Sequence, residues 1–126
     1  MHALDTNILI RLLARDDVKQ AKLADQFVAH GAWVSHLVLA ETLWALKSVY
    51  GRNPSQLSAV LDILLSHESL VIQDADTVNA ALTHFQSQPA LSFSDCLVLE
   101  IARKAGHLPL GTFDKALSKL ANTHKL

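Results

Sequence analysis

Four acidic residues, Asp5, Glu41, Asp95 and Asp114, have the type and the setting to do chemistry. Asp5 and Asp114 directly follow short strand-like runs, and Asp95 starts a helical pattern after Leu91-Ser92-Phe93. In a parallel sheet, such strand-to-helix junctions gather at one edge even when far apart in sequence. Glu41 lies within an apolar helical run, on the face opposite the Leu39, Leu43, Leu46 and Tyr50 stripe. Should the four converge, two carboxylates about 5 Å apart repel by about 3 kcal/mol at an effective dielectric near 20. Such a cluster has to take up protons or bind a cation. A ligand set of oxygens alone, without Cys or His, selects Mg²⁺ or Mn²⁺. Held this way, the cation keeps positions for water and phosphate oxygens, the pattern of metal-assisted phosphodiester hydrolysis.

Each acid also has an ordinary structural reading. Asp5 and Asp114 are good helix N-caps. Ser92-Phe93-Ser94-Asp95 fits the capping-box pattern. Glu41 on the less apolar helix face suits a solvated side chain. Capping and catalysis are compatible, so no single acid identifies a metal site.

The elements that must position these acids alternate along the chain. Asp5-Thr6-Asn7 are all N-cap types, and Ile8, Leu9, Ile10, Leu12 and Leu13 form a short buried strand running into a helix. A helix from Asp17 carries Ala21, Ala24 and Val28 inward and stops near Gly31. Ala32 to Ser35 is a short strand, and residues 36–50 form the clearest helix, ended by Gly51. Asn53-Pro54 restarts a helix as N-cap and first helical residue. Leu70-Val71-Ile72 is a strand, and Asp74 or Asp76 opens the next helix. Ser92 or Ser94 caps a helix closed by Gly106, and Leu108 to Phe113 is strand-like. Asp114 caps a last helix through Leu120, and Asn122 to Leu126 is a short final strand. Strands alternating with helices predict an α/β fold, a three-layer α/β/α sandwich with a short central parallel sheet.

Composition narrows the classes. The chain has 126 residues, half of them apolar, which suits one domain with a real core. Formal charge is −1, from 11 basic and 12 acidic side chains, so any RNA-binding surface is a local patch. No apolar stretch suits a membrane span, and the N-terminus shows no signal-peptide pattern. Cys96 is the only cysteine, which points to the reducing cytoplasm. It reads as a small core residue rather than a nucleophile. The seven histidines are scattered without zinc spacing and read as surface or interface residues. G-x-S-x-G, P-loop and G-x-G-x-x-G patterns are absent.

The order of motifs carries a resemblance that no acid carries alone. Leu4-Asp5-Thr6-Asn7-Ile8-Leu9-Ile10 resembles the first motif of PIN-domain nucleases. Ser35 to Ala45, with Ala40-Glu41, is similar to the family's central acidic helix. Phe93-Ser94-Asp95-Cys96, followed by Leu97 to Ala102, resembles its third motif, and Gly111-Thr112-Phe113-Asp114 its fourth. Together they cover nearly the whole chain, in the family's order. A lone domain of this size resembles the VapC-type toxins of bacterial toxin–antitoxin pairs. The resemblance implies a single PIN-like nuclease domain over 1–126, acting as an Mg²⁺-dependent endoribonuclease. It further implies a homodimer and inhibition by a small cognate antitoxin protein. Asp5, Glu41, Asp95 and Asp114 would be the acidic set, with Asp5 and Asp95 the firmest metal ligands. Thr6, Asn7 and Thr112 would orient carboxylates or bound water. Leu37 and Trp44, beside Glu41, are either core or part of the antitoxin's docking surface. Many relatives carry another acid two residues after the fourth. Here that place is Ala116, which leaves one or two ions open.

Two rival readings stand beside this one. A PIN-like binding module would keep the fold without a productive metal site. Haloacid-dehalogenase phosphatases need a second Asp two residues after the first, and that residue is Asn7. Response-regulator receivers want an acidic pair after the first strand, where Asp5 stands alone.

Overall fold

Apolar residues spaced three and four apart wind most of this chain into helices, and the short apolar runs between them pair as strands. The computed structural model describes all residues, Met1–Leu126, as two compact units, Met1–Ala75 and Asp76–Leu126.

The first unit holds β1 (His2–Ala3), α1 (Thr6–Ala14), α2 (Val18–Val28), β2 (Ala32–Val34), α3 (His36–Ser48), α4 (Pro54–Ser66) and β3 (Leu70–Ile72). Its three strands form one parallel sheet in the order β1-β2-β3, with His2 opposite Ala32 and Ala32 opposite Leu70. Side chains alternate across the pleat: Ala32, Val34, Leu70 and Ile72 are buried, while Trp33 and Val71 are exposed. Leu9, Leu39, Leu46, Leu61 and Leu64 are fully buried on α1, α3 and α4.

Helix starts in this unit are chemically secured. Ser35 Oγ accepts the Val38 N–H at 3.1 Å, and Asp17 Oδ1 accepts the Gln20 N–H at 2.9 Å. Asn53 and Gln56 complete a reciprocal capping box ahead of Pro54. At the C-terminal edge of the sheet, Gln73 N–H donates to Val34 O at 2.9 Å. Its side chain accepts the His36 N–H at 2.9 Å, and the His36 ring meets its carbonyl at 2.7 Å. His36, half-buried, thereby ties the start of α3 to the end of β3.

α5 (Ala75–Ser87) opens at the unit boundary, and α6 (Phe93–Ala105) follows. Phe85 and Phe93 meet edge to face at 6.2 Å between centroids. Gly106 closes α6 at φ 84°, a left-handed position that glycine adopts without strain. β4 (Leu110–Thr112) and β5 (Thr123–Lys125) then pair in parallel. No helix is long and apolar enough to cross a membrane.

This is the expected α/β class, rich in helix and with a small parallel sheet, but four local expectations change. The run Ile8 to Leu13 is all helix, because Asp5 starts the turn before a strand can form. The strand expected over Leu108 to Phe113 is only three residues long. β4 pairs with β5 in a separate sheet, so the junctions at Asp5 and Asp114 do not share one sheet edge. The helix expected from Asp114 through Leu120 is a single 3₁₀ turn, Leu117–Lys119. There, hydroxyl groups take the carbonyls that a continuing helix would need: Ser118 donates to Lys115 O, and Thr123 donates to Ser118 O and Leu120 O. Asn122, at φ 66°, then turns the chain into β5.

Candidate functional site

Each of the four acids is placed by a local device legible in the sequence around it. Asp5 stands between β1 and α1, and its Oδ1 accepts the Thr6 N–H at 2.7 Å. Thr6, one residue into α1, donates through Oγ1 to Glu41 Oε2 at 3.2 Å. That contact reaches from α1 to the outer face of α3, where Glu41 is exposed as its helical phase requires. The pair borders an open groove of about 540 Å³ lined also by Asn7, Ile10, Ala40, Trp44 and Ala45. Leu37 and Trp44 are 69% and 67% exposed, so neither belongs to the core. Asn7 is exposed and contributes to this groove and to a second one between α1 and α2.

In the second unit, Asp95 sits in the first turn of α6, without the preceding strand that its surroundings suggested. Its N–H donates to Ser92 Oγ at 3.1 Å, so Ser92 is the cap. The capping box is not completed: the Asp95 carboxylate accepts no hydrogen bond within its unit, unlike Gln56 at the start of α4. Asp114 follows β4. Its N–H donates to Thr112 Oγ1 at 2.9 Å, and its Oδ1 accepts the Leu117 N–H at 2.8 Å. Thr112 therefore fixes the backbone of Asp114, and one Asp114 oxygen caps the 3₁₀ turn.

Four of the twelve acids are in ion pairs, and the four candidates are among the eight that are not, together with Asp17, Asp62, Glu68 and Asp74. The ion pairs take up Asp16 with Arg11, Asp25 with Arg15, Asp76 with Lys104, and Glu100 with His84 and Arg103. None involves Asp5, Glu41, Asp95 or Asp114. Each of the four keeps at least one carboxylate oxygen without a protein donor. A hard divalent cation needs free, accessible, anionic oxygens of this kind. By donor chemistry the four residues fit such an ion. The structure brings Thr6 and Glu41 together and holds Thr112 to Asp114; within neither unit do three or more His, Cys, Asp or Glu side chains gather into a metal-binding group.

Other reactive groups are accounted for by packing. Cys96 is fully buried, and burial, with the Asp95 charge next, pushes its thiol up to about 11. It is no thiolate at neutral pH, which agrees with the core reading. Sequence reasoning does not single out Glu100, which is buried and accepts from His84 Nε2 at 3.1 Å and Arg103 Nε at 3.0 Å. The three-residue spacing of Glu100 and Arg103 on one helix was the available signal. His84, half-buried, is thus the partner of a buried acid.

A family model described as PIN domain matches residues 3–122, a span that includes all four acids and most of each unit. No curated protein and no solved structure matches the chain.

Proposed function

We propose, from the premise that this chain belongs to the PIN domain family, that it is an Mg²⁺-dependent endoribonuclease. The family is a nuclease fold, generally a metal-dependent ribonuclease. The reading of this chain rests on one observation above the others. Asp5, Glu41, Asp95 and Asp114 fall in the four motifs of the matched family, in order, and none of them is in an ion pair. Two unpaired acids on the outside of a protein are common; four that match four family motifs in order call for a shared purpose.

In this proposal the whole chain acts as one nuclease domain, and the four acids work as one set. Asp5 and Asp95 would hold the cation most directly, as their places in the first and third family motifs imply, and each has a carboxylate oxygen without a protein donor. Glu41 is oriented by the Thr6 hydroxyl. Asp114 is fixed through Thr112 and the Leu117 N–H, which leaves its other oxygen available. Asn7 is exposed beside Glu41 and Thr6 and is available to bind water or phosphate. When bound, Mg²⁺ (or Mn²⁺) supplies charge neutralisation at the phosphodiester and a more acidic water. The acids would hold the ion and orient the attacking water towards the phosphorus, and cleavage of the bond to the 3′-oxygen would leave 5′-phosphate and 3′-hydroxyl ends. Ala116 supplies no additional acid, so a second ion would have no further carboxylate at that position.

By its size and motif order the chain is proposed to serve as the toxin of a toxin–antitoxin pair, as a cytoplasmic homodimer. The cognate antitoxin would cover the exposed Leu37 and Trp44 beside Glu41. Incubating the purified protein with total bacterial RNA, in Mg²⁺ or in EDTA and beside an Asp5→Asn control, tests the enzyme. Discrete fragments that require both Mg²⁺ and Asp5 are expected. Full activity in Asp5→Asn, in a preparation free of other nucleases, refutes the assignment.

A second reading has Ala116 in its favour: a PIN-like binding module without turnover. It predicts neither cleavage nor stabilisation by Mg²⁺. A working site stabilises the native state by about 1.4 kcal/mol at ten times Kd, so a melting curve with and without Mg²⁺ separates the two.

A further inference from the structure

The end of the second unit carries side chains that the proposed reaction leaves unused. Phe113 is 80% exposed, the most exposed aromatic residue of the chain. A ring in water contributes nothing to the core, yet the backbone around it is tightly fixed. On one side Thr112 accepts the Asp114 N–H at 2.9 Å through Oγ1 and the Leu126 N–H at 3.0 Å through its carbonyl. On the other, Asp114 Oδ1 accepts the Leu117 N–H at 2.8 Å. An apolar ring is therefore presented to solvent from an ordered turn, one residue before a candidate catalytic acid.

The charges around it are unlike those elsewhere in the unit. Arg103 and Lys104 are committed to Glu100 and Asp76. Lys115 stands two residues after Phe113, and Lys125 lies opposite Thr112 on the paired strand β5. Both are exposed, and neither is in an ion pair. From Leu110 to Leu126 the sequence has Lys115, Lys119 and Lys125 against Asp114 alone. This local positive excess stands out in a chain whose formal charge is −1.

We infer that Phe113, Lys115 and Lys125 form a grip for single-stranded RNA, with a base stacked on the Phe113 ring and the lysines on flanking phosphates. The inference rests on the ribonuclease reading above. Aromatic rings between cations are the means by which proteins hold unpaired strands, since every base offers a π-face and every nucleotide a phosphate. A duplex keeps its base faces inside the stack and cannot use Phe113. Phe113 immediately precedes Asp114 in the chain, so the stacked nucleotide would lie near the one that Asp114 serves. Phe113 is then a positioning residue that sets the register of cleavage.

The test uses the full chain in EDTA with a short fluorescein-labelled single-stranded RNA, read by anisotropy, and the same strand annealed to its complement. Phe113→Ala is expected to weaken single-strand binding by about 5- to 150-fold, the usual worth of one base–aromatic stack. Phe113→Tyr keeps the π-face and is expected to stay within about two-fold of the wild type. Lys115→Gln and Lys125→Gln should each reduce the salt slope by about 0.7. Wild-type affinity in Phe113→Ala, duplex bound as tightly as the single strand, or no RNA binding by the wild type would overturn the grip. Cleavage in Mg²⁺ separates this result from the parent reading. Phe113-dependent binding without cleavage removes the nuclease and keeps the grip. Cleavage with KM unchanged in Phe113→Ala removes the grip and keeps the nuclease.

Discussion

The two units solve the problem of placing a carboxylate in opposite ways. The first carries six Lys and Arg against eight Asp and Glu, and it leaves its acids at the surface. Its paired acids, Asp16 and Asp25, are exposed; of its candidate acids, Asp5 stands at a sheet-to-helix junction and Glu41 on the outer face of α3. The second unit carries five basic residues against four acidic ones and buries one acid, Glu100, between His84 and Arg103. Its unpaired acids lie in a helix's first turn and after a strand of a separate small sheet. Burial with partners marks a carboxylate that holds the fold. The lack of a cationic partner leaves a carboxylate available for a ligand, and it is the family motifs, not that lack alone, that single out the four.

That contrast yields predictions, beginning with the largest. Thr6→Val keeps the shape of Thr6 and removes its hydrogen bond to Glu41. Losing an outer-shell contact of this kind is expected to lower cleavage by about 10- to 100-fold, with melting temperature nearly unchanged. A loss of stability with unchanged activity would place Glu41 among the structural acids. Glu100→Ala should do the reverse. It deprives His84 and Arg103 of a buried acceptor and should cost about 1–3 kcal/mol by urea denaturation. Cleavage per folded molecule should hold.

Smaller effects sharpen the comparison. Asn53→Ala breaks the complete capping box of α4 and should cost about 1 kcal/mol. Asp95→Ala should cost far less stability, because its carboxylate caps nothing. A cost equal to that of Asn53→Ala would return Asp95 to the capping role. The smallest effect concerns Asp25, whose carboxyl the Arg15 hydrogen bond holds below its ordinary 3.8. A depressed carboxyl contributes stability above its unfolded pKa and loses it as pH falls through the folded value. The melting difference between wild type and Asp25→Asn should therefore shrink below about pH 4, and with added salt.

Much of this was legible in the sequence where a local rule operates alone. The stripe of Leu39, Leu43 and Leu46 put Glu41 outside, and it is outside. Asn53-Pro54, Gly106 and Ser92 act at the helix ends where their types placed them. The rules failed where local signals compete. Asp114 has a helix-capping type, but the hydroxyls of Ser118 and Thr123 claim the following carbonyls and leave one 3₁₀ turn. Ser92-Phe93-Ser94-Asp95 has the sequence of a capping box, yet only the serine half forms. Partners distant along the chain gave no signal at all: neither the bond from Thr6 to Glu41 nor that from His84 to Glu100 has a local pattern. Strand pairing was equally invisible, because three-residue strands have too few residues to specify which sheet they join.

The central claim is that Asp5, Glu41, Asp95 and Asp114 serve one metal-dependent reaction, and single and double substitutions test it most directly. The measurement is the RNA cleavage rate in Mg²⁺ for Asp5→Asn, Asp95→Asn and the two combined. Residues that act as a unit are non-additive, so each single variant should lose nearly as much activity as the double. If either single variant cleaves at the wild-type rate, the acids are not one set and the account fails.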